Sequence, residues 1–272
     1  MTYPSPHDPQ IQFTSYNGRK LAYTVEGPQS PNEQNADAII LVHGIPGSVA
    51  DFRYLGPLLA EKMRVYRLDF PGFGQSEIAP LRQSNLISRS DLIMGFADSL
   101  GLDRFMLLGH SMGGPPAMVT ASRFPQRVSR LVMLASVGLR RHRGLFMNPK
   151  SIWPAIALSY LPGVQAMMVR NTRAAYKRMR FPGSDKLEAA EVRHHASIVA
   201  GISFRQLNAA AAKVNCPSLV SYAEDDKLVE PRVGEGLAHA LNAETLVFPE
   251  GGHNIQKTKA ENIAEAICGT PL

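Results

Sequence analysis

The chain is poor in cysteine: its 272 residues include only two, Cys216 and Cys268. Two cysteines cannot build the disulfide framework of a small secreted domain, and their separation fits neither a metal site nor a redox motif. One enters a predicted strand and the other ends a predicted helix, so we expect both to be buried free thiols.

Long apolar runs are also absent. No segment approaches the roughly 20 uncharged apolar residues that a membrane span needs. Residues 1–8 have neither the basic patch nor the apolar stretch of a secretory signal. The composition, 44% hydrophobic and 19% charged, is that of an ordinary globular protein. We therefore expect a cytoplasmic protein without a membrane span.

Apolar runs and amphipathic segments alternate along most of the chain, which predicts an α/β fold with a doubly wound, mostly parallel sheet. Asn17-Gly18 between two strand-like runs predicts a hairpin near the start. The alternation breaks after Ala135, and residues 137–213 contain Pro-punctuated helical patterns without a convincing strand. We expect a core formed by residues 1–136 and 214–272, with a helical cap, 137–213, inserted after the sixth strand.

The pentapeptide Gly109-His110-Ser111-Met112-Gly113 lies between a predicted strand and a predicted helix. Small residues on either side of the serine allow a sharp turn that exposes its hydroxyl. A serine held in this way becomes a useful nucleophile when a base and donors for an oxyanion lie beside it. The context predicts that Ser111 is the nucleophile of a serine hydrolase.

A base and an orienting acid are found further along the chain. His253 lies between the last strand and the last helix, and Asp226 follows the preceding strand, so all three side chains should meet at the carboxyl edge of the sheet. Asp225 is the rival acid. His43 and His110 are rival bases, and we expect both to be structural.

Together these features resemble the α/β-hydrolase superfamily over nearly the whole chain. His43-Gly44-Ile45-Pro46-Gly47 is similar to the family's His-Gly-x-Pro turn, and the resemblance implies that the backbone N–H groups of Ile45 and Met112 form the oxyanion hole. The segment 69–76, Asp-Phe-Pro-Gly-Phe-Gly-Gln-Ser, matches a family loop expected to support the site. Epoxide hydrolases and haloalkane dehalogenases of this fold carry aspartate where Ser111 stands, which favours acyl chemistry here.

Charge is unevenly distributed, although the whole chain carries a net +6. The predicted cap holds thirteen Lys and Arg against three Asp and Glu. A solvated helix surface explains this simply, but a basic cap could also attract an anionic substrate. No nucleic-acid-binding motif accompanies the charge, so we expect no nucleic-acid partner. The cap's larger apolar residues should form its own core or line an acyl pocket: Trp153, Leu158, Tyr160, Leu161, Met167 and Met168.

The sequence thus predicts a serine hydrolase acting on a small or medium carboxylic ester, without a metal or organic cofactor. A carbon–carbon bond hydrolase of the meta-cleavage type is an alternative, although such relatives tend to carry Asn at His110 and Trp at Asn254. Perhydrolase or lactonase activity, and a non-catalytic hydrolase-like receptor, are further alternatives. The oligomeric state does not follow from the sequence.

Overall fold

The structure, a computed structural model, describes residues 8–28, 38–145, 149–179, 181 and 183–269. Eight strands form its central sheet. They are β1 (Gln12–Tyr16), β2 (Arg19–Glu26), β3 (Ala38–Val42), β4 (Arg64–Leu68), β5 (Phe105–His110), β6 (Val128–Leu134), β7 (Ser218–Ala223) and β8 (Glu244–Phe248). Their order across the sheet is β1-β2-β4-β3-β5-β6-β7-β8.

Helices cover both faces of this sheet. Those in the described ranges are α1 (Leu55–Ala60), α2 (Leu86–Ser99), α3 (Gly114–Arg123), α4 (Pro149–Leu158), α5 (Pro162–Arg178), α6 (Ala189–Ala200), α7 (Phe204–Ala211), α8 (Pro231–Leu241), α9 (Ile255–Thr258) and α10 (Ala260–Cys268). Among these described residues, no helix combines the length and apolar character needed to cross a membrane.

The sheet is parallel except at one edge, where β1 pairs antiparallel with β2 and β2 pairs antiparallel with β4. Asn17 and Gly18 connect β1 to β2 with φ of 51° and 73°, which is the left-handed conformation that a tight hairpin turn requires. The predicted hairpin and the predicted mostly parallel sheet are both confirmed.

Side chains of successive strand residues point to opposite faces, so a strand covered on both sides must be apolar throughout. In β3, Ile40 and Val42 belong to one hydrophobic cluster, whereas Ile39 and Leu41 belong to the cluster on the other face. This continuous apolar run is why the central strands could be found in the sequence. The two layers fix the sheet rigidly beneath its carboxyl edge.

Helices α4 to α7 occupy the chain between β6 and β7. Helices α4 and α5 pack on α6, whereas α7 packs against α3, and Leu207 of α7 is fully buried in the main core. The division into a core and a cap at residues 137 and 213 stays a prediction. Both Cys216 and Cys268 are free, and both are partly rather than fully buried.

The apolar residues expected to form the core of the cap, or its pocket, lie elsewhere. Five of the six are exposed: Trp153, Leu158, Tyr160, Leu161 and Met167. That expectation is wrong for these five, because α4 and the start of α5 bury only the stripe that faces α6. Met168 is partly buried against a small cluster of Tyr176, Leu187 and Val192.

Candidate active site

Ser111 directly follows β5 and occupies the left-handed region with φ of 52°. Strain of this kind in a non-glycine residue is kept only where the surroundings hold the backbone firmly. Neighbouring glycines allow the turn: a Cβ on Gly109 would stand 2.6 Å from the Cα of Gly114, and one on Gly113 would stand 2.4 Å from the carbonyl oxygen of Val42. The sharp turn between strand and helix, predicted from the pentapeptide, presents the Ser111 hydroxyl at the sheet edge.

His253 lies on the loop that follows β8 and reaches the serine hydroxyl. Its Nε2 is 2.8 Å from Ser111 Oγ. The rival acid Asp225 does not bond the imidazole but the backbone of this loop. Its Oδ1 accepts hydrogen bonds from the N–H groups of Gly251 (2.9 Å) and Gly252 (2.7 Å). Asp225 thus contacts the backbone that carries His253.

Asp226 is the carboxylate that faces the imidazole. Its Oδ2 lies 2.8 Å from His253 Nδ1, and its Oδ1 accepts from the N–H groups of Leu228 (2.8 Å) and Val229 (3.0 Å). Burial alone would raise the pKa of Asp226, but the hydrogen bonds from His253 and from these two N–H groups outweigh burial and lower it. Asp226 is therefore ionised at neutral pH. It draws the ring proton to Nδ1 and leaves Nε2 free to accept from Ser111.

The turn expected to supply oxyanion donors lies against the nucleophile. A Cβ on Gly44 would stand 2.8 Å from Ser111 Cβ and 3.3 Å from its Oγ, so only glycine fits there. Within the described chain, no hydrogen bond occupies the N–H of Ile45 or of Met112. Both donors are therefore unoccupied, and their role as an oxyanion hole stays a prediction.

The rival histidines are bonded to backbone groups. His43 Nδ1 donates to the carbonyl of Gly44 (2.7 Å) while its Nε2 accepts from the N–H of Phe70 (3.0 Å). His110 Nε2 donates to the carbonyl of His253 at 3.0 Å. Burial lowers the pKa of His43 to about 4 and that of His110 to about 3, so both rings are neutral. They connect loops around the site, as expected for structural histidines.

The loop at residues 69–76 braces the site through Asp69. This carboxylate accepts from the N–H groups of Val49 (2.7 Å) and Gln75 (3.0 Å). Burial raises its pKa to about 6 despite those two bonds, which lower it. Ser76 Oγ donates to the carbonyl of Asp69 at 2.7 Å and accepts from the N–H of Ala22 at 2.8 Å. The loop thereby connects Val49, two residues after the His43–Gly47 turn, to Ala22 of β2.

A cleft of about 810 Å³ opens above Ser111 and His253. The predicted cap contributes Met179 and Phe181 to its wall, and the core contributes Arg53 and Lys257. Lys257 Nζ is paired with Asp51 at 2.7 Å. Of the described residues, none of the cap's cations lines this cleft, and Arg180 lies outside the described residues.

Three features of this region had little or no signal in the sequence. The Asp51–Lys257 pair joins residues 206 positions apart, and no local pattern marks such a contact. The role of Asp225 depends on the path of the next loop. Arg89, on α2, reaches the carbonyl of Met112 at 3.4 Å, although its position in the sequence looks like an ordinary helix surface. Among the described residues, no group of three His, Cys, Asp or Glu side chains is placed to hold a metal.

The comparison with protein families agrees with this architecture. A family model described as the alpha/beta hydrolase fold matches residues 37–200. The chain belongs to the α/β-hydrolase family, and this membership supports hydrolase activity.

Particular relatives span most of the chain. It is 29% identical over 270 residues to the dihydrolipoyllysine-residue acetyltransferase component of the acetoin cleaving system of Pseudomonas putida, covering 95% of this chain and 68% of that protein. It is 27% identical over 259 residues to the 2-hydroxy-6-oxononadienedioate/2-hydroxy-6-oxononatrienedioate hydrolase of Paraburkholderia xenovorans, covering 86% of each. The crystal structure of the enol-lactonase from Burkholderia xenovorans shares the fold, with a TM-score of 0.74 at 22% identity, over 95% of this chain and 98% of that one.

Proposed function

We propose that this protein is a serine hydrolase that cleaves a small or medium carboxylic ester through an acyl-enzyme intermediate. One observation carries the proposal: an unbroken chain of hydrogen bonds runs from Ser111 Oγ to His253 and on to Asp226, each 2.8 Å long. Nucleophile, base and orienting acid in this arrangement are the working parts of acyl transfer.

In the first step His253 Nε2 takes the proton of Ser111 as Oγ attacks the ester carbonyl carbon. The resulting imidazolium is stabilised by Asp226, whose two N–H donors keep the carboxylate ionised and fixed. His253 then gives the proton to the alkoxide leaving group, which departs as the alcohol. The acyl group remains on Ser111.

The tetrahedral oxyanion formed during attack needs donors that are already in place. In this proposal the N–H groups of Ile45 and Met112, to which no described residue is hydrogen-bonded, supply these donors. One such donor is worth about 3 kcal/mol of barrier in serine enzymes. Water activated by His253 then attacks the acyl-enzyme and releases the acid.

The predicted cap, residues 137–213, selects the substrate in this proposal. Met179 and Phe181 give the cleft an apolar wall opposite the polar residues of the core, which suits an acyl chain of modest length. None of the described cap cations lines this cleft, whereas Arg53 and Lys257 of the core do, so the proposal specifies no charge for the acyl group.

A carbon–carbon bond hydrolase is the second candidate. The relative from Paraburkholderia xenovorans, with 27% identity over 86% of both chains, is named as a hydrolase of 2-hydroxy-6-oxononadienedioate and 2-hydroxy-6-oxononatrienedioate. The same Ser111–His253 pair would serve hydrolysis of a carbon–carbon bond next to a carbonyl. His110 and Asn254, which differ from the pattern of those hydrolases, favour the ester reaction.

Hydrolysis of p-nitrophenyl butyrate by the native protein and by Ser111→Ala tests the proposal. Removal of the nucleophile should lower kcat by roughly 10⁴-fold or more, since a triad loses nearly all its activity with its serine. In the native protein, an organophosphorus ester should add one phosphoryl group to Ser111, detected by mass spectrometry of the peptide. Equal rates in the two proteins would overturn the nucleophile assignment.

The second candidate is separated by its own substrate. Turnover of 2-hydroxy-6-oxononadienedioate with a higher kcat/KM than any p-nitrophenyl ester would replace the ester proposal with carbon–carbon hydrolysis. Esters preferred by a wide margin would support the ester reaction. Labelling of Ser111 without turnover of either substrate would point to the receptor alternative.

A further inference from the structure

A second cavity, of about 550 Å³, lies behind the turn that carries Ser111. Its inner wall is mostly apolar and buried, formed by Phe70, Ala79, Leu92 and Ile198. Polar residues stand at its rim: Tyr16, Asn17, Gln83, Ser88 and Asp91. Among described residues, none lines both this cavity and the cleft at Ser111. It is a separate compartment that opens to solvent at this rim.

Arg89 is the charged group of the inner wall. It is 4% exposed, and its Nε and Nη2 have no hydrogen-bond partner among the described residues. Its contacts are a long hydrogen bond of 3.4 Å from Nη1 to the carbonyl of Met112 and the ring of Phe70, 4.3 Å from the guanidinium carbon. Burial lowers the pKa of Arg89 to about 9, so the group is still cationic at neutral pH.

Two other strongly buried arginines, Arg67 on β4 and Arg130 on β6, each have an acidic partner. Arg67 is paired with Glu26, although its Nε and Nη1 have no hydrogen-bond partner among the described residues, and Arg130 is paired with Glu244 at 3.3 Å. A buried charge is costly unless a carboxylate and hydrogen bonds compensate it. Asp91, the acid at the cavity rim, is paired with Arg123 at 2.7 Å. Arg89 therefore lacks, within the described chain, the kind of partner that the comparable arginines have.

We propose that this cavity binds a small organic monocarboxylate with an apolar body, anchored by Arg89. The two free nitrogens, Nε and Nη2, carry the adjacent parallel N–H groups with which arginine holds both oxygens of a carboxylate. Both nitrogens lie just beneath the cavity surface, so binding requires the guanidinium to turn toward the ligand. This rotation has to release the long bond to Met112 and the contact with the Phe70 ring.

The charge and polarity of the residues that line the cavity indicate the class of ligand. One cation on an apolar wall matches a singly charged anion, whereas a phosphate dianion would need further donors. His194, whose Nε2 donates to the carbonyl of Pro71 at 2.8 Å, is kept neutral because burial lowers its pKa to about 4. It adds a polar edge without a second charge. The apolar part of the ligand would lie against Leu92 and Ile198.

Isothermal titration calorimetry with benzoate tests the site, using Ser111→Ala so that the catalytic centre is inert. Benzoate should bind this protein, while benzamide, its uncharged analogue, and inorganic phosphate should not. Arg89→Met, which keeps much of the side-chain volume, should weaken benzoate binding by about 30-fold or more, because a buried charge pair loses one member. Arg127→Met is the control and should retain binding, because Arg127 is paired with Asp98 and neither residue lines the cavity.

Blocking the space provides a second variant that leaves the charge intact. Ala79→Leu projects a larger side chain from the cavity wall and should also abolish benzoate binding, with Arg89 present. Unchanged binding in Arg89→Met, or no binding of benzoate and butanoate to Ser111→Ala at millimolar concentration, would overturn the proposal. So would competitive inhibition of p-nitrophenyl butyrate hydrolysis by benzoate in the native protein, since it would place the ligand in the Ser111 cleft.

Discussion

Two buried charges lie on opposite sides of the Ser111 turn, and their surroundings differ. Asp226 lies with Ser111 and His253 at the carboxyl edge of the sheet, here called the Ser111 edge. It receives hydrogen bonds from the His253 ring and from two backbone N–H groups. Arg89, behind the turn, has a single long hydrogen bond to Met112 and two nitrogens without partners among the described residues. A charge whose hydrogen-bonding positions are filled is fixed in place, whereas one with free positions can bind something else. At the Ser111 edge the buried charge has its hydrogen-bond partners within the described chain, whereas in the cavity behind it the buried charge lacks them.

The largest expected effect on kcat comes from removing the charge of Asp226. In Asp226→Asn the side-chain oxygen can still accept from the N–H groups of Leu228 and Val229, which turns the new NH₂ group toward His253 Nδ1. The imidazole would then carry its proton on Nε2 and could not accept from Ser111. We expect kcat for p-nitrophenyl butyrate to fall by about 10⁴-fold with little change in Tm, as the wrong tautomer does in serine enzymes. A loss smaller than about tenfold would remove Asp226 from the proposed mechanism.

The meeting of these side chains at the Ser111 edge was predictable from the sequence, because it depends on the local turn at Ser111 and on the order of the strands. A G-x-S-x-G segment can turn sharply only with small residues around Ser111, and parallel strands bring the residues that follow them to one edge. The Asn17-Gly18 hairpin was predictable for the same local reason. Both depend on neighbours within a few positions.

The rest depends on packing between distant segments. Arg89 lies on α2 in a pattern that resembles a solvated helix surface, and only the assembled fold buries it behind Met112. The exposed Trp153 shows the opposite case, since its apolar character suggested a core that α4 does not form around it. Whether a polar or apolar side chain is covered is decided by elements far away in the chain. Sequence patterns therefore predicted which side chains meet beside Ser111 better than they predicted what surrounds them.

Acid should lower the free energy of unfolding, because buried neutral histidines lie both around Ser111 and around the cavity of Arg89. Burial lowers the pKa of His43, His194 and His195 to about 4 and that of His110 to about 3. The unfolded chain takes up protons below the ordinary value of 6.5 while the folded chain does not, so stability present above 6.5 is lost as the pH falls toward these values. The raised pKa of Asp69 acts in the opposite sense, because its contribution is lost as the pH rises through about 6. Burial also raises the pKa of Glu26, which acts in the same sense as Asp69. The four histidines outweigh these two carboxyl groups.

The free energy of unfolding should therefore fall steeply between pH 6.5 and about 4, measured by urea titration at a series of pH values. His194→Gln retains an N–H donor for the carbonyl of Pro71 and cannot take up a proton. It should reduce the slope by about 1.4 kcal/mol per pH unit. The exposed His239→Gln, measured beside it, is the control for the loss of a histidine. An unaltered slope in His194→Gln would mean that its ring is protonated in the folded protein.

The smallest expected effect separates the two adjacent aspartates. Asp225 holds the N–H groups of Gly251 and Gly252 and does not touch the imidazole. Its carboxylate is exposed, so water can replace it when it is removed. Asp225→Ala should lower kcat by about tenfold and the free energy of unfolding by about 1 kcal/mol, through a looser His253 loop. Asp225→Asn keeps an oxygen that accepts both N–H groups and should restore most of the activity, whereas Asp226→Asn should not. A loss in Asp225→Ala as large as that in Asp226→Asn would show that the two carboxylates share the orienting role, and the contrast between them would then disappear.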